Sequence, residues 1–120
     1  MMKLKVLLTA VSLLMSASYV SAANPSSVNY DTPITLEGTL KVEKGYPMLY
    51  LPAPITAVAG ANSDGLYDTF SGAKKLQVVW VGEKLPIGCM LATGSLFGAH
   101  TADHKTDVLI QLKSYKSCSK

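Results

Sequence analysis

No stretch of this sequence is apolar for long enough to cross a bilayer as a helix. The longest run, Val6 to Met15, is about ten residues where roughly 20 are needed, so a retained helical anchor and stable membrane insertion are not expected. Cysteine is scarce, with only Cys89 and Cys118. No cysteine follows the small residues near position 22, so nothing there offers a lipid attachment point. Histidine occurs twice, as His100 and His104, and tryptophan once, as Trp80. No G-x-S-x-G elbow positions a nucleophilic serine. The partial calcium loop around Asn62 and Asp64 has Gly60 and Ser71 where acidic ligands belong. There is no internal repeat and no sustained helical period. Together these absences argue against a hydrolase of that type, a calcium-loop protein and a helical bundle.

What is present begins with an export pattern. Lys3 and Lys5 precede the apolar run, and Val20-Ser21-Ala22 places small residues where a signal peptidase reads them, so residues 1–22 are expected to be a cleaved signal peptide. Eleven basic residues stand against eight acidic ones, and two of the basic ones, Lys3 and Lys5, lie in that segment. The remainder is close to neutral, which gives no electrostatic reason to expect nucleic acid as a partner. The expected location is the periplasm or the extracellular space.

After the signal, residues 23–32 are polar and read as a flexible lead-in, with a single domain over 33–120. Ile34, Leu36, Gly38, Leu40 and Val42 alternate with polar residues, the period-two pattern of a half-buried strand. Gly38 within it suggests a bulge or bend. Met48 to Leu51 reads as a short strand stopped by Pro52 and Pro54, with an edge strand from Ile55 to Ala59. A long loop is expected from Gly60 to Lys75, then a buried strand from Leu76 to Val81. Cys89 to Phe97 and Asp107 to Leu112 complete a hairpin around a loop from Gly98 to Thr106. Five or six short strands of this kind predict an all-β fold, a small OB-like barrel. Tyr46, Tyr50, Tyr67 and Phe70 lie in or beside the loops, either as caps on the barrel's open ends or, with Trp80, as a protein-binding surface.

The two cysteines lie in the exported part, where an even pair reads as a disulfide. The loop closed would be about 30 residues, worth roughly 3–4 kcal/mol in the chain-entropy picture. A hairpin centred near residue 102 would place Cys89 opposite about residue 115, close to Cys118.

The most distinctive stretch is Gly94-Ser95-Leu96-Phe97-Gly98-Ala99-His100-Thr101-Ala102-Asp103-His104-Lys105-Thr106, followed by Asp107-Val108-Leu109-Ile110. His100 and His104, with Asp103 nearby, offer donors for a divalent metal such as zinc if the loop gathers them. The other reading is a tight hairpin connection in which Thr101, Asp103 and Thr106 bond to loop backbone and the imidazoles pack. With Ile34-Thr35-Leu36-Glu37-Gly38-Thr39-Leu40, this stretch resembles the bacterial domain of unknown function 4431. His100, Thr101, His104 and Thr106 fall on that family's positions, whereas Gly98, Asp103 and Lys105 stand where its pattern carries further histidines. The resemblance implies a domain and leaves its activity open.

The expectation is therefore an exported binding module rather than an enzyme, with no obligatory cofactor and an envelope or secreted protein as its partner. Phe97, His100, Thr101, His104 and Thr106 would form the contact surface. A metal-binding protein centred on His100 and His104 is the alternative.

Overall fold

The structure is a computed structural model that describes residues 23–60 and 67–118. The expected signal peptide lies outside the described residues, as does the centre of the loop after Gly60. Six strands make one sheet: β1 (Ser27–Asn29), β2 (Ile34–Glu43), β3 (Tyr46–Val58), β4 (Phe70–Val79), β5 (Gly88–Gly98) and β6 (Val108–Ser117). There is no helix among the described residues. β2 pairs antiparallel with β3 and β5, β5 with β6, and β3 with β4. The parallel pairing of β4 with β6 closes the ring. Five strands thus form the OB-like, barrel-like ring that the alternation predicts, and β1 is added in parallel to the end of β3.

The period-two pattern of β2 buries Leu36 and Leu40 completely. They meet Leu49 and Leu51 of β3, Leu76 and Val78 of β4, Met90 and Leu96 of β5, and Val108, Ile110 and Leu112 of β6. Each fully buried side chain of this kind is worth about 1.5–3 kcal/mol against exposure, so the interior supplies the main driving force. Gly38 carries no bulge, because its pairing with β5 is continuous. A Cβ there would lie 2.7 Å from the Tyr50 carbonyl, so glycine is required by the close approach of β3 where the ring curls.

Several expectations are corrected. Residues 23–32 are part of the fold, not a flexible lead-in: β1 pairs with β3, and Val28 and Tyr30 are buried. The Asn24 side-chain amide both donates to the Glu37 carbonyl and accepts from its N–H, at 2.9 and 2.8 Å, standing in for a strand on that stretch of β2. The two short strands expected around Pro52 and Pro54 are one strand, β3. Its register with β4 shifts between Tyr50 and Ile55, so the prolines fall where no ladder needs their missing N–H. β4 begins at Phe70, so the expected loop to Lys75 is shorter. Polar side chains from Ser71 to Lys75 are those of a strand exposed on one side of the ring.

The disulfide between Cys89 and Cys118 is present, with a Cα–Cα distance of 5.3 Å. Its register differs from the expected one. Met90 faces Ser117, and the Cys118 N–H donates to the Cys89 carbonyl at 3.2 Å. The loop centres slightly later than residue 102, and a bulge between Thr93 and Gly94 shifts the pairing further.

Between β2 and β3 the chain turns on two residues, Lys44 (φ 53°) and Gly45 (φ 89°). Positive φ at both positions is the tight hairpin turn that matches strand twist, for which Asn-Gly is the usual pair. Lysine at the first position carries a left-handed penalty of about 1 kcal/mol.

Candidate functional site

The sheet register lays Phe97, Leu109, Gln77, Met48 and Lys41 in one row across five strands. Their neighbours Leu96, Ile110, Val78 and Leu49 belong to the interior, so by strand alternation this row faces outward. Yet Leu109, Gln77 and Met48 are buried. The β5–β6 loop, residues 99–107, accounts for it by folding back over the outer wall of the ring.

Gln77 holds the loop there. It is the one polar side chain buried among the described residues. Its Nε2 donates to the Asp103 carbonyl at 3.1 Å, and its Oε1 accepts the Lys105 N–H. The Gln77 backbone N–H in turn donates to Thr106 Oγ1 at 3.0 Å, and that hydroxyl donates to the Val108 carbonyl at 2.6 Å. A buried amide with both ends satisfied stabilises a unique loop position, whereas one left half-satisfied would be costly.

The loop's own residues lock it further. The His100 N–H donates to His104 Nδ1 at 3.0 Å, and the His104 N–H donates to the Thr101 carbonyl at 3.1 Å. Because His104 accepts at Nδ1, its ring proton sits on Nε2. His100 Nδ1 donates to the Gly98 carbonyl at 3.0 Å, a bond that does not use its Nε2. The two imidazoles meet edge to face at 4.6 Å and pack against Phe97, at 5.8 Å for His100 and 5.4 Å for His104.

The folded-back loop separates two concavities. On the imidazole side, a shallow depression of about 370 Å³ is lined by Phe97, His100 and His104 with Tyr67, Asp31 and Gln111. Tyr67 packs on Tyr30 at 5.0 Å, and the Tyr30 hydroxyl donates to the Asp68 carbonyl at 2.9 Å. Burial pushes the Tyr30 hydroxyl above its ordinary range, reinforced by the carboxylates of Asp68 and Asp107 and by Tyr67. On the other side, a concavity of about 440 Å³ is lined by Glu43, Lys44, Tyr46, Met48, Lys75 and Lys105.

Of the residues singled out in the sequence, Phe97, His100 and His104 come together. Thr101 is exposed at the loop's tip and contributes its carbonyl to the loop's folding, while Thr106 turns inward to β4. Asp103 gives its carbonyl to Gln77. Its carboxylate does not join the imidazoles in a group of three donors. Among the described residues such a group is Glu37, Cys89 and Cys118, two of which are joined in the disulfide. The sequence reading did not single out Gln77. Its signal was a lone amide inside the apolar run Leu76 to Val79. Nor did it join Lys44, Lys75 and Lys105, which are separated along the chain and meet only through the ring.

The fold and this hairpin define the chain as an all-β, OB-like domain whose distinctive element is a histidine-bearing loop. A family model, Domain of unknown function (DUF4431), matches residues 91–116. That span runs from β5 through the loop into β6, so the similarity to this family rests on the hairpin itself. No curated protein and no solved structure matches the chain.

Proposed function

We propose that this chain is exported, to the periplasm or beyond, and acts as a binding module that recognises an envelope or secreted protein through the imidazole side of the β5–β6 hairpin. The observation that carries the reading is the prior organisation of the loop. Hydrogen bonds from Gln77, Thr106 and His104 hold it before any partner arrives, so association need not order a mobile segment. Phe97 and His100 stand at its surface beside Tyr67, and aromatic side chains on a rigid support are the usual anchors of protein interfaces. The mechanism is occupancy: the partner covers Phe97 and His100, and no bond is made or broken.

A photo-crosslinking residue placed at Thr101 in the chain as its own cell produces it tests this. A defined crosslinked partner that disappears with Phe97→Ala or His100→Ala is expected. Crosslinks that survive both changes in a folded protein would rule out this surface.

The edge-to-face contact of two imidazoles keeps metal binding as the second reading. It requires His104 to surrender the bond it accepts at Nδ1 or to lose the proton on Nε2. Elemental analysis of protein from its native compartment, with melting curves in chelator, separates the readings. A stoichiometric metal whose removal lowers the melting temperature selects the second.

A further inference from the structure

We infer that the concavity on the opposite side of the loop is a binding site for a small polyanion, such as an acidic saccharide, carrying two or more carboxylate, sulfate or phosphate groups. The β2–β3 turn, β3, β4 and the β5–β6 loop each contribute to its lining: Lys44 from the turn, Tyr46 and Met48 from β3, Lys75 from β4 and Lys105 from the loop. Three ammonium groups stand there against the single carboxylate of Glu43, which Lys75 pairs at 2.9 Å. An excess of positive charge is therefore concentrated on one face of a chain that is otherwise close to neutral.

The ammonium groups are placed rather than scattered. Lys105 Nζ lies 5.3 Å from the centre of the Tyr46 ring and donates to the Ala102 carbonyl at 3.0 Å. At the flank, Lys41 and Lys75 lie 4.8 and 5.6 Å from the Tyr50 ring. Ammonium groups held over ring faces are oriented before an anion arrives, which lowers the cost of binding one. Lys44 has no partner among the described residues and occupies the left-handed turn position that asparagine or glycine would hold with less strain. The turn thus presents the Lys44 ammonium to the concavity at a small cost in backbone strain.

The volume, about 440 Å³, suits a small ligand rather than a macromolecule's whole surface. The three lysines take the ligand's acidic groups, with the half-buried Tyr46 beside them.

The test is calorimetric titration of the purified chain with a sulfated hexasaccharide, a galacturonic acid hexamer, neutral maltohexaose and a thymidine hexanucleotide. At least one acidic sugar should bind, with affinity falling roughly tenfold from 50 to 200 mM salt, while the neutral sugar does not. Lys44→Asn should weaken binding at least about threefold yet raise the melting temperature, because it removes an ammonium and relieves the turn. Lys105→Glu should weaken binding about tenfold or more, whereas Lys113→Glu, an equal charge change on β6, should leave it within about twofold. Failure of both acidic sugars to bind, or equal losses from Lys105→Glu and Lys113→Glu, overturns the proposal. Binding of the neutral sugar as tightly as the acidic ones overturns it too. Tighter binding of the hexanucleotide would assign the groove to nucleic acid instead.

Discussion

The two sides of the β5–β6 loop differ in what their polar groups do. On the imidazole side they are largely consumed in folding: His104 accepts a backbone N–H, and His100 donates to the Gly98 carbonyl. On the lysine side, Lys44 has no partner among the described residues, and the Lys105 ammonium is held beside the concavity by one carbonyl and one ring. Histidines that draw attention in a sequence can thus be structural in their nitrogen chemistry, with recognition left to their exposed edges and to neighbours. Residues of no apparent pattern can assemble a charged site because a ring of strands brings them together.

The largest expected effect concerns what the two sides share. Replacing Cys89 and Cys118 by serine should cost about 3–4 kcal/mol in a denaturant melt. The disulfide lies at the far end of the β5–β6 hairpin, so hydrogen exchange at the His100 and Lys105 amides should keep its relative protection; collapse of the loop as well would show that the hairpin's two ends are not independent.

Gln77→Ala comes next, at about 2 kcal/mol, or roughly 10 °C in melting temperature for a domain of this size. It removes both side-chain bonds that hold the loop, so exchange should accelerate at Lys105 and both concavities should lose definition. An unchanged loop would mean that Thr106 alone suffices.

His104→Ala should cost about 1 kcal/mol and perturb the imidazole side only. His104→Asn, whose amide oxygen can accept the same N–H, should recover much of the loss. Equal effects from alanine and asparagine would show that ring packing on Phe97, not the hydrogen bond, is what matters.

The smallest effect lies away from both sides. The Tyr115 hydroxyl donates to Glu83 Oε2 at 2.8 Å, which lowers the Glu83 carboxyl below its ordinary range. A depressed folded value contributes stability above the ordinary carboxylate range, and that contribution is lost as pH falls through the folded value. Tyr115→Phe should raise the Glu83 titration, followed by NMR, back toward the usual range while leaving both concavities unchanged.

Much of the architecture was legible because strands announce themselves by alternation. The bounds of β2 follow from Ile34, Leu36, Leu40 and Val42, and the cysteine pairing follows from there being only two cysteines, Cys89 and Cys118. The run Val108-Leu109-Ile110 carries a subtler message, since consecutive apolar residues in a strand mean that both faces are covered. The cover over Leu109 could not be read, because it comes from a loop reaching back to Gln77. Pro52 and Pro54 misled for a related reason. A proline ends a strand only where its N–H is needed, and that depends on which neighbour lies alongside.

By itself the sequence determined the all-β character, the burial of Leu36 and Leu40 on β2, the disulfide and the place of the histidine-bearing hairpin. All of these depend on short-range periodicity or on residue type. Only the tertiary structure decided that the hairpin loop folds onto the outer wall, that Gln77 holds it, and that Lys44, Lys75 and Lys105 share one concavity. These depend on closing the ring through β4 and β6, and the register of strands distant in sequence is set by how the whole core packs.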